Sequence, residues 1–280
     1  WINGLDITRR NRDMWIIDYG VRLDESEAAL YEIPFAYLVE NVKPERVKNN
    51  RESYRRFWWR FVEPRPQMRQ ALEGLDRYLV TTVVAKHRFF SWVSANVCSD
   101  HRLIVFATNR DETFGILSSR LHVCWALHFG STLEDRPCYT PSSCFETFPF
   151  PVGLTPRDTA GWGPGATICD SHEESPAPMS PCAKAIATAA QKLNQLRENW
   201  LNPPEWTKRI PEVVPGYPDR IVAQPGHEAD LKKRTLTNLY NAKQSGKAAW
   251  LDNAHQALDA AVAAAYGWTD YTPDMPDEEI

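Results

Sequence analysis

The feature that most constrains the fold is a stretch rich in Gly, Pro and Ser, residues 152–180, which holds few aliphatic side chains. This composition lacks the apolar surface that a packed core needs, so it predicts a linker. Gly161, Gly163 and Gly165 alternate within it, but a cofactor loop would follow a strand and open a helix, and neither context is present. We therefore expect this segment to link a sheet-bearing region before it to a helical region after it.

Two helical patterns begin the region before the linker. Asp24 and Glu27 have capping-box spacing, which predicts a helix over residues 24–41 with a kink at Pro34. A second helix is predicted over residues 44–61, because its first turn holds a proline and its apolar residues form one stripe.

Runs of β-branched and aromatic residues follow and predict strands at 78–84, 88–93, 103–107 and 113–117. Ser118 or Ser119 is placed to cap a helix that continues through Phe129 and ends at Gly130. The segment 131–151 holds four prolines and is predicted to be a loop.

After the linker, Ser180 and Pro181 open a predicted helix that reaches Trp200, and a second helix covers residues 250–266 with Gly267 as its left-handed cap. The fold class is therefore α+β, with N-terminal helices, a central antiparallel or mixed sheet and a C-terminal helical subdomain. The expected divisions are residues 1–77, 78–151, 152–180 and 181–280.

Charge is distributed unevenly along the chain, whose formal net charge is −4. Residues 43–88 hold twelve Lys/Arg and five acids, a net +7, which leaves −11 for the remainder. Such a basic block favours contact with nucleic acid, although a solvated helix face fits the same pattern. Within it, Trp58 is predicted to face the core and Trp59 to pack among the arginines. The acidic end from Asp270 is expected to be solvated and frayed.

Several classes of protein are disfavoured by the sequence. No run approaches the ~18 apolar residues of a membrane span, so no membrane partner is expected. The six cysteines lack paired spacing and the seven histidines lack metal-ligand spacing, which favours a cytoplasmic protein with reduced thiols and no metal site. The residues that follow Trp1 lack the basic and apolar stretches of a secretory signal, so none is expected, and we expect the chain to be part of a longer polypeptide.

Two short strings suggest catalysis, but their contexts argue against it. Asn202-Pro203-Pro204-Glu205 resembles the loop with which amino-methyltransferases hold a flipped base, yet Glu205 replaces the stacking aromatic residue and the string ends a helix. A loose nuclease pattern, Asp219 with Asp230 and Lys232, would hold Mg²⁺, but such carboxylates normally lie on adjacent strands. The nuclease stays an alternative.

A set of short motifs is distributed over nearly the whole chain. They include Asn3-Gly4-Leu5-Asp6, Trp15-Ile16-Ile17-Asp18-Tyr19-Gly20, Val42-Lys43-Pro44-Glu45-Arg46, Trp58-Trp59, Lys86-His87-Arg88, Phe114-Gly115-Ile116-Leu117, Tyr139-Thr140-Pro141 and Phe145-Glu146-Thr147-Phe148-Pro149-Phe150-Pro151. With these motifs, residues 1–151 resemble the part that follows the catalytic core in MmeI-like restriction-modification methyltransferases and related adenine-specific DNA methylases. Residues 236–241 and 258–268 resemble the helical end of the same enzymes.

The resemblance implies a target-recognition region for double-stranded DNA. In that family an upstream domain binds S-adenosylmethionine and methylates adenine N6. We therefore expect no cofactor in this chain, no methyl transfer by it alone, and a methyltransferase domain as its partner. A protein-interaction module that docks the catalytic domain is a further alternative.

The basic block and the resemblance together give the candidate DNA contacts. The expected phosphate contacts are Lys48, Arg51, Arg55, Arg56, Arg60, Lys86 and Arg88. Arginine can read guanine through two hydrogen bonds, so the expected base-reading residues are Arg110 and Arg120, with Tyr139 and Thr140 lining the groove.

Overall fold

A computed structural model describes residues 1–159 and 179–280. The helices in this part are α1 (Gly4–Thr8), α2 (Glu25–Ala29), α3 (Glu32–Asn41), α4 (Lys43–Arg46), α5 (Glu52–Arg56), α6 (Pro66–Leu72), α7 (Asp111–Ser118), α8 (Arg120–Phe129), α9 (Pro141–Cys144), α10 (Pro156–Thr159), α11 (Pro181–Leu201), α12 (Glu228–Leu231), α13 (Leu236–Gln244) and α14 (Ala249–Ala265). The strands are β1 (Arg77–Thr82), β2 (Ser91–Ser94), β3 (Leu103–Phe106), β4 (Ser131–Leu133), β5 (Arg136–Cys138), β6 (Thr207–Ile210) and β7 (Arg220–Ala223). The predicted α+β class is confirmed.

The described residues form two compact units. One is Met14–Glu73, and the other joins Trp1–Asp13 to Gly74–Ile280. The predicted linker with its alternating glycines falls mainly on residues 160–178, which lie outside the described residues. The division into four segments stays a prediction.

The unit Met14–Glu73 consists of short helices around a small aromatic core. The capping box predicted at Asp24 is present, with the Glu27 backbone N–H donating to Asp24 Oδ1 at 2.8 Å. The single kinked helix over 24–41 is wrong, because the chain leaves the helical path at Tyr31 (φ −88°, ψ +73°) and starts again in α3. The cause is Pro34, whose ring would clash with the Leu30 carbonyl of a continuous helix but is accommodated in the first turn of α3.

The predicted helix over 44–61 is also wrong, since α4 and α5 are separate short helices. Asn49 interrupts the helical path, because its Oδ1 accepts the Arg51 backbone N–H at 2.9 Å, a local bond that competes with helix formation. Trp58 is buried as predicted. Trp59 is buried as well, with the Arg60 guanidinium 5.3 Å from its ring centre. The two indoles pack with the buried residues Tyr19, Ala28 and Leu38.

The other unit is built on a three-stranded antiparallel sheet in the order β2-β1-β3. The strand predicted over 78–84 is confirmed as β1, and that over 103–107 as β3. The strand predicted over 88–93 begins only at Ser91, so residues 86–88 precede it and the expected alternation of Lys86, His87 and Arg88 along a strand is wrong.

The strand predicted over 113–117 is helix α7. Seven of its eight residues are buried, since it packs against α11 and α14. A helix buried on every side has the same uninterrupted apolar run as a buried strand, so periodicity does not distinguish the two. Asp111 and Glu112, which occupy its first turn, were the available helix signal.

The remaining helix ends agree with the sequence. Ser119 caps α8 and Gly130 follows its last residue. Ser180 caps α11 through the Ala183 backbone N–H, and Gly267 follows α14 with φ of +72°. These helices bury one continuous core against the sheet.

The close approach of α7 to α11 and α14 depends on Gly115. A Cβ at this position would lie 2.6 Å from Ile186 Cγ2 and 3.2 Å from Leu258 Cδ1. We predict that Gly115→Ala lowers the free energy of unfolding by about 1–3 kcal/mol through overpacking, although the same change in an open helix stabilises a protein. Denaturant titration measures it. Gly4→Ala is the control, because a Cβ there meets Thr82 Cγ2 at an ordinary 3.5 Å; equal effects of the two variants would contradict the prediction.

Candidate nucleic-acid interface

The basic segment, defined as residues 46–60, lies in the Met14–Glu73 unit and holds six cations and one acid, Glu52. The six cations are Arg46, Lys48, Arg51, Arg55, Arg56 and Arg60. None of them forms an ion pair within the part of the chain that the structure describes. By contrast, four other cations of the same unit each pair with a carboxylate: Arg22, Lys43, Arg65 and Arg69. Lys48, Arg51, Arg55 and Arg56 are exposed and Arg60 is half-buried.

Aromatic rings hold several of these guanidinium groups in place. Tyr54 has Arg46 at 5.6 Å and Arg51 at 5.3 Å from its ring centre, and its hydroxyl accepts a hydrogen bond from Arg51 Nη1 at 2.8 Å. Phe57 has Arg56 and Arg60 at 5.2 and 4.9 Å. Cation–π contact orders the arginines without neutralising them. The segment therefore presents a fixed set of positive charges.

Arg88, a predicted phosphate contact, lies in the interior with 8% of its surface exposed. Its Nη1 donates to Thr81 Oγ1 at 3.0 Å and to the Thr82 carbonyl, and its Nη2 donates to the Pro137 carbonyl at 3.2 Å. Burial lowers the pKa of the guanidinium to about 10. Arg88 is thus a structural cation that joins β1 to β5, since it could reach a phosphate only if this network broke.

The exposed hairpin, residues 131–138, projects from the position that Arg88 fixes. It pairs β4 with β5 in the register Ser131↔Cys138 to Leu133↔Arg136. Residues 131–136 are all exposed, and Glu134 takes a left-handed φ of +59° in the turn. Arg136 Nη2 lies 2.6 Å from Glu134 Oε2, so the tip carries an acid and a base side by side.

Backbone hydrogen bonds hold the base of the exposed hairpin to the end of β1. The Tyr139 N–H donates to the Val83 carbonyl at 2.8 Å, and the Ala85 N–H donates to the Pro137 carbonyl at 3.4 Å. The Val83 N–H donates to the carbonyl of Arg102, an exposed residue, at 2.9 Å. Arg102 and the hairpin therefore lie at the same end of the sheet.

The sequence predicts a loop here, and its patterns indicate neither the hairpin nor a role for Arg102. The available signal was the β-branched Thr132 beside Leu133, directly before Glu134 and Asp135, two turn residues. Pro137 concealed it, because proline argues against a central strand but is compatible with an edge strand such as β5.

The four predicted base-reading residues occupy dissimilar places. Arg110 Nε lies 2.9 Å from Glu112 Oε1. Tyr139 is 2% exposed, with its hydroxyl 3.0 Å from Nε2 of the buried His122, so it belongs to the core and does not line a groove. Thr140 is half-buried and precedes α9. Arg120 is engaged by the C-terminal segment.

Arg120 binds the acidic end that was expected to be frayed. Its Nε donates to Asp277 Oδ1 at 2.8 Å, and its Nη1 donates to the Pro273 carbonyl at 3.1 Å. Ile280 packs against the main core. The expectation of a frayed end is wrong for these residues, because an ion pair and an apolar contact hold them.

The residues of the nuclease pattern do not form a site. Asp219 precedes β7, while Asp230 lies in α12 and pairs with Lys233 at 3.5 Å; Lys232 follows the last residue of α12. Over residues 1–159 and 179–280, no group of three or more His, Cys, Asp or Glu side chains could hold a metal ion. Asn202 caps the end of α11, as a helix-terminating role for the string 202–205 requires. None of the described helices is long and apolar enough to cross a membrane.

Unpaired cations held by aromatic rings and an exposed two-stranded ribbon are characteristic of nucleic-acid-binding domains. Residues 15–152 match the family described as "MmeI, target recognition domain". This segment of the chain therefore belongs to the MmeI target-recognition family, and the resemblance seen in the sequence is confirmed. The basic segment and the exposed hairpin both lie inside the matched segment.

A solved structure supports the fold. The chain resembles the type IIL restriction-modification enzyme MmeI in complex with DNA, with a TM-score of 0.56 and 20% sequence identity. The similarity covers 98% of this chain and 28% of that enzyme's chain. No curated protein matches the sequence.

Asp259 of α14 is a pH-dependent group that contacts the start of helix α8. Its Oδ1 accepts the Arg120 backbone N–H at 2.7 Å. Burial raises the pKa of this carboxyl to about 6, although Arg120 and Lys243 act in the opposite direction. A carboxyl with a raised folded-state pKa costs no stability below pH ~4, where it is protonated in both states, and costs most above pH 6.

We predict that the stability difference between Asp259→Asn and the native protein, measured by denaturant titration, becomes about 1–3 kcal/mol more favourable to the variant from pH 4 to pH 8. The buried His122 and His255, whose pKa values burial lowers to about 3, titrate in both proteins and cancel in the difference. Asp274→Asn, on the exposed C-terminal segment, is the control. A pH-independent difference for Asp259→Asn would reject the assignment.

Proposed function

We propose that this chain binds double-stranded DNA and reads part of its sequence, as the target-recognition part of a restriction-modification enzyme. The observation that carries the proposal is the family match over residues 15–152. That segment holds a set of cations without acidic partners, which suits contact with the DNA backbone, and an exposed ribbon, which suits readout of bases.

The basic segment supplies the contacts with the DNA phosphates. Phosphate contacts give most of the affinity of a DNA-binding protein and carry no sequence information directly. Lys48, Arg51, Arg55, Arg56 and Arg60 fit this role, because they hold their charge without a carboxylate that DNA would have to displace.

The exposed hairpin supplies the readout. A major groove ~12 Å wide admits a two-stranded β-ribbon. Glu134 can accept a hydrogen bond from cytosine N4, and Arg136 can donate to guanine O6 and N7. Side by side at the tip, the two groups match the two edges of a G·C pair. We therefore replace Arg120 and Tyr139 with Glu134 and Arg136 as the favoured base-reading residues, and add Arg102 at the same end of the sheet.

The reaction that follows sequence recognition is a further part of the proposal. We propose adenine N6 methylation by a partner methyltransferase domain that binds S-adenosylmethionine, acting in the cytoplasm. The matched MmeI chain is more than three times as long as the region shared with this one. A separate catalytic part is physically reasonable, because methylation of a base requires its extrusion into a pocket while readout uses the groove.

The two alternatives have less support. A nuclease would need Asp219 and Asp230 together, and they lie on a strand end and a helix without a third ligand among the described residues. An interaction module would not need the unneutralised cations of the basic segment.

The proposed phosphate contacts predict that substitutions in the basic segment change the salt dependence of DNA binding. We expect Arg55→Ala combined with Arg56→Ala to weaken binding to duplexes of any sequence by about tenfold or more at ~0.1 M salt, and to reduce the slope of log affinity against log salt by about two. Fluorescence anisotropy with a labelled mixed-sequence duplex measures both quantities.

The matched control is Arg22→Ala with Arg65→Ala, which removes the same charge from exposed arginines that already pair with Glu73 and Glu63. Similar losses in the two double variants would indicate a general effect of net charge and would contradict the assignment of phosphate contacts. An unaltered affinity of the Arg55/Arg56 variant at low salt would do the same.

The readout predicts a change in sequence preference. We expect Glu134→Gln with Arg136→Gln to reduce discrimination at one G·C position by about 1–3 kcal/mol, while affinity for mixed-sequence duplex changes less than about threefold. Selection from a randomised duplex library measures the preference.

The control is Glu212→Gln with Arg220→Gln, which removes a comparable pair, at 3.2 Å, from the β6–β7 hairpin outside the matched segment. This control should keep the native preference. An unchanged preference of the Glu134/Arg136 variant would remove the exposed hairpin from the readout.

A further inference from the structure

We infer that Asn241 of α13 is a positioning residue that holds Lys86 as a phosphate contact at the base of the exposed hairpin. The inference rests on the proposed function and extends it to the C-terminal helices, since Asn241 lies outside residues 15–152.

One side-chain oxygen organises the arrangement. Lys86 Nζ donates to Asn241 Oδ1 at 2.7 Å, and His87 Nε2 lies 2.8 Å from the same oxygen. Because an ammonium is only a donor, Oδ1 must be the atom that faces it, and His87 then donates its Nε2 proton. Two neighbouring side chains are thus fixed by one acceptor.

Asn241 is itself held by the core. Its neighbours Leu239 and Tyr240 are buried, and the Tyr240 ring lies 5.4 Å from that of Phe89 and 6.1 Å from that of His87. The acceptor therefore sits on an element with little freedom to move. A lysine anchored to it is ordered relative to the sheet.

This order matters because a free lysine loses rotamer entropy when its head group is fixed. Here that cost falls on folding and not on DNA binding. Lys86 is exposed and forms no ion pair within residues 1–159 and 179–280. Its ammonium keeps two further N–H donors for a phosphate oxygen.

The location fits a phosphate contact. Lys86 directly follows Ala85, whose N–H donates to the Pro137 carbonyl at the base of the exposed hairpin. A ribbon that enters a groove has the phosphates of both strands at its flanks, so a cation at the base of the ribbon lies where a backbone passes.

The test uses the full chain, a labelled 40-base-pair duplex of mixed sequence and anisotropy over a salt series. We expect Asn241→Ala and Lys86→Gln each to lower affinity about three- to tenfold and to reduce the salt slope by about one. The double variant should bind no more weakly than Lys86→Gln alone. Asn241→Asp should also reduce the slope, because it keeps the acceptor but neutralises the ammonium.

Lys192→Ala, an exposed lysine of α11, is the charge control and should change the slope less. Thermal unfolding shows whether each variant is folded. If Asn241→Ala is unfolded, the salt slope of Asn241→Asp tests the inference in its place. If Asn241 were merely structural, its substitution would lower the unfolding temperature and leave the salt slope unchanged, which would overturn the inference. A further loss of affinity in the double variant would also overturn it. If the Arg55/Arg56 variant loses affinity but the Asn241 variants do not, only this inference fails. If the native chain does not bind duplex, the proposed function fails with it.

Discussion

The hydrogen bonds of the buried Arg88 guanidinium are the constraint on which the candidate interface depends. A two-stranded ribbon is marginally stable alone, and residues 131–136 contribute almost nothing to the core. Arg88 compensates by joining the Thr81 hydroxyl and Thr82 carbonyl of β1 to the Pro137 carbonyl of β5. The partners of Arg88 are neutral oxygens, so no carboxylate neutralises the buried cation. Loss of this network would leave buried polar groups unpaired on both elements.

The basic segment follows a different physical rule from the exposed hairpin. Cations that contact phosphates need to be numerous, ordered and free of carboxylates, and the rings of Tyr54 and Phe57 order them without neutralisation. A base-reading element needs few groups in exact register, which a ribbon tied to a sheet provides. The features that we propose for these two roles lie in different compact units, so we expect affinity and sequence preference to respond to separate substitutions.

Local signals in the sequence were reliable where one side chain decides the outcome. The caps at Asp24, Ser119 and Ser180 lie where the sequence puts them, because each satisfies an exposed backbone N–H whatever its tertiary context. Tertiary context decided the rest. Helix α7 has the pattern of a strand because its neighbours cover it on every side, and the basic string 86–88 divides into an exposed lysine and a buried arginine. The DNA contacts proposed from charge alone therefore needed the structure to separate them, and the resemblance supplied the family but not the hairpin.

The exposed hairpin also has a consequence for how such a protein changes over generations. Its tip makes no demands on packing, while Arg88 and the hydrogen bonds at Val83 and Ala85 hold its base. Substitutions at the tip should therefore be nearly neutral for folding. In the readout that we propose, new sequence preferences can then arise by drift at a few solvated positions, without changes in the core beneath them.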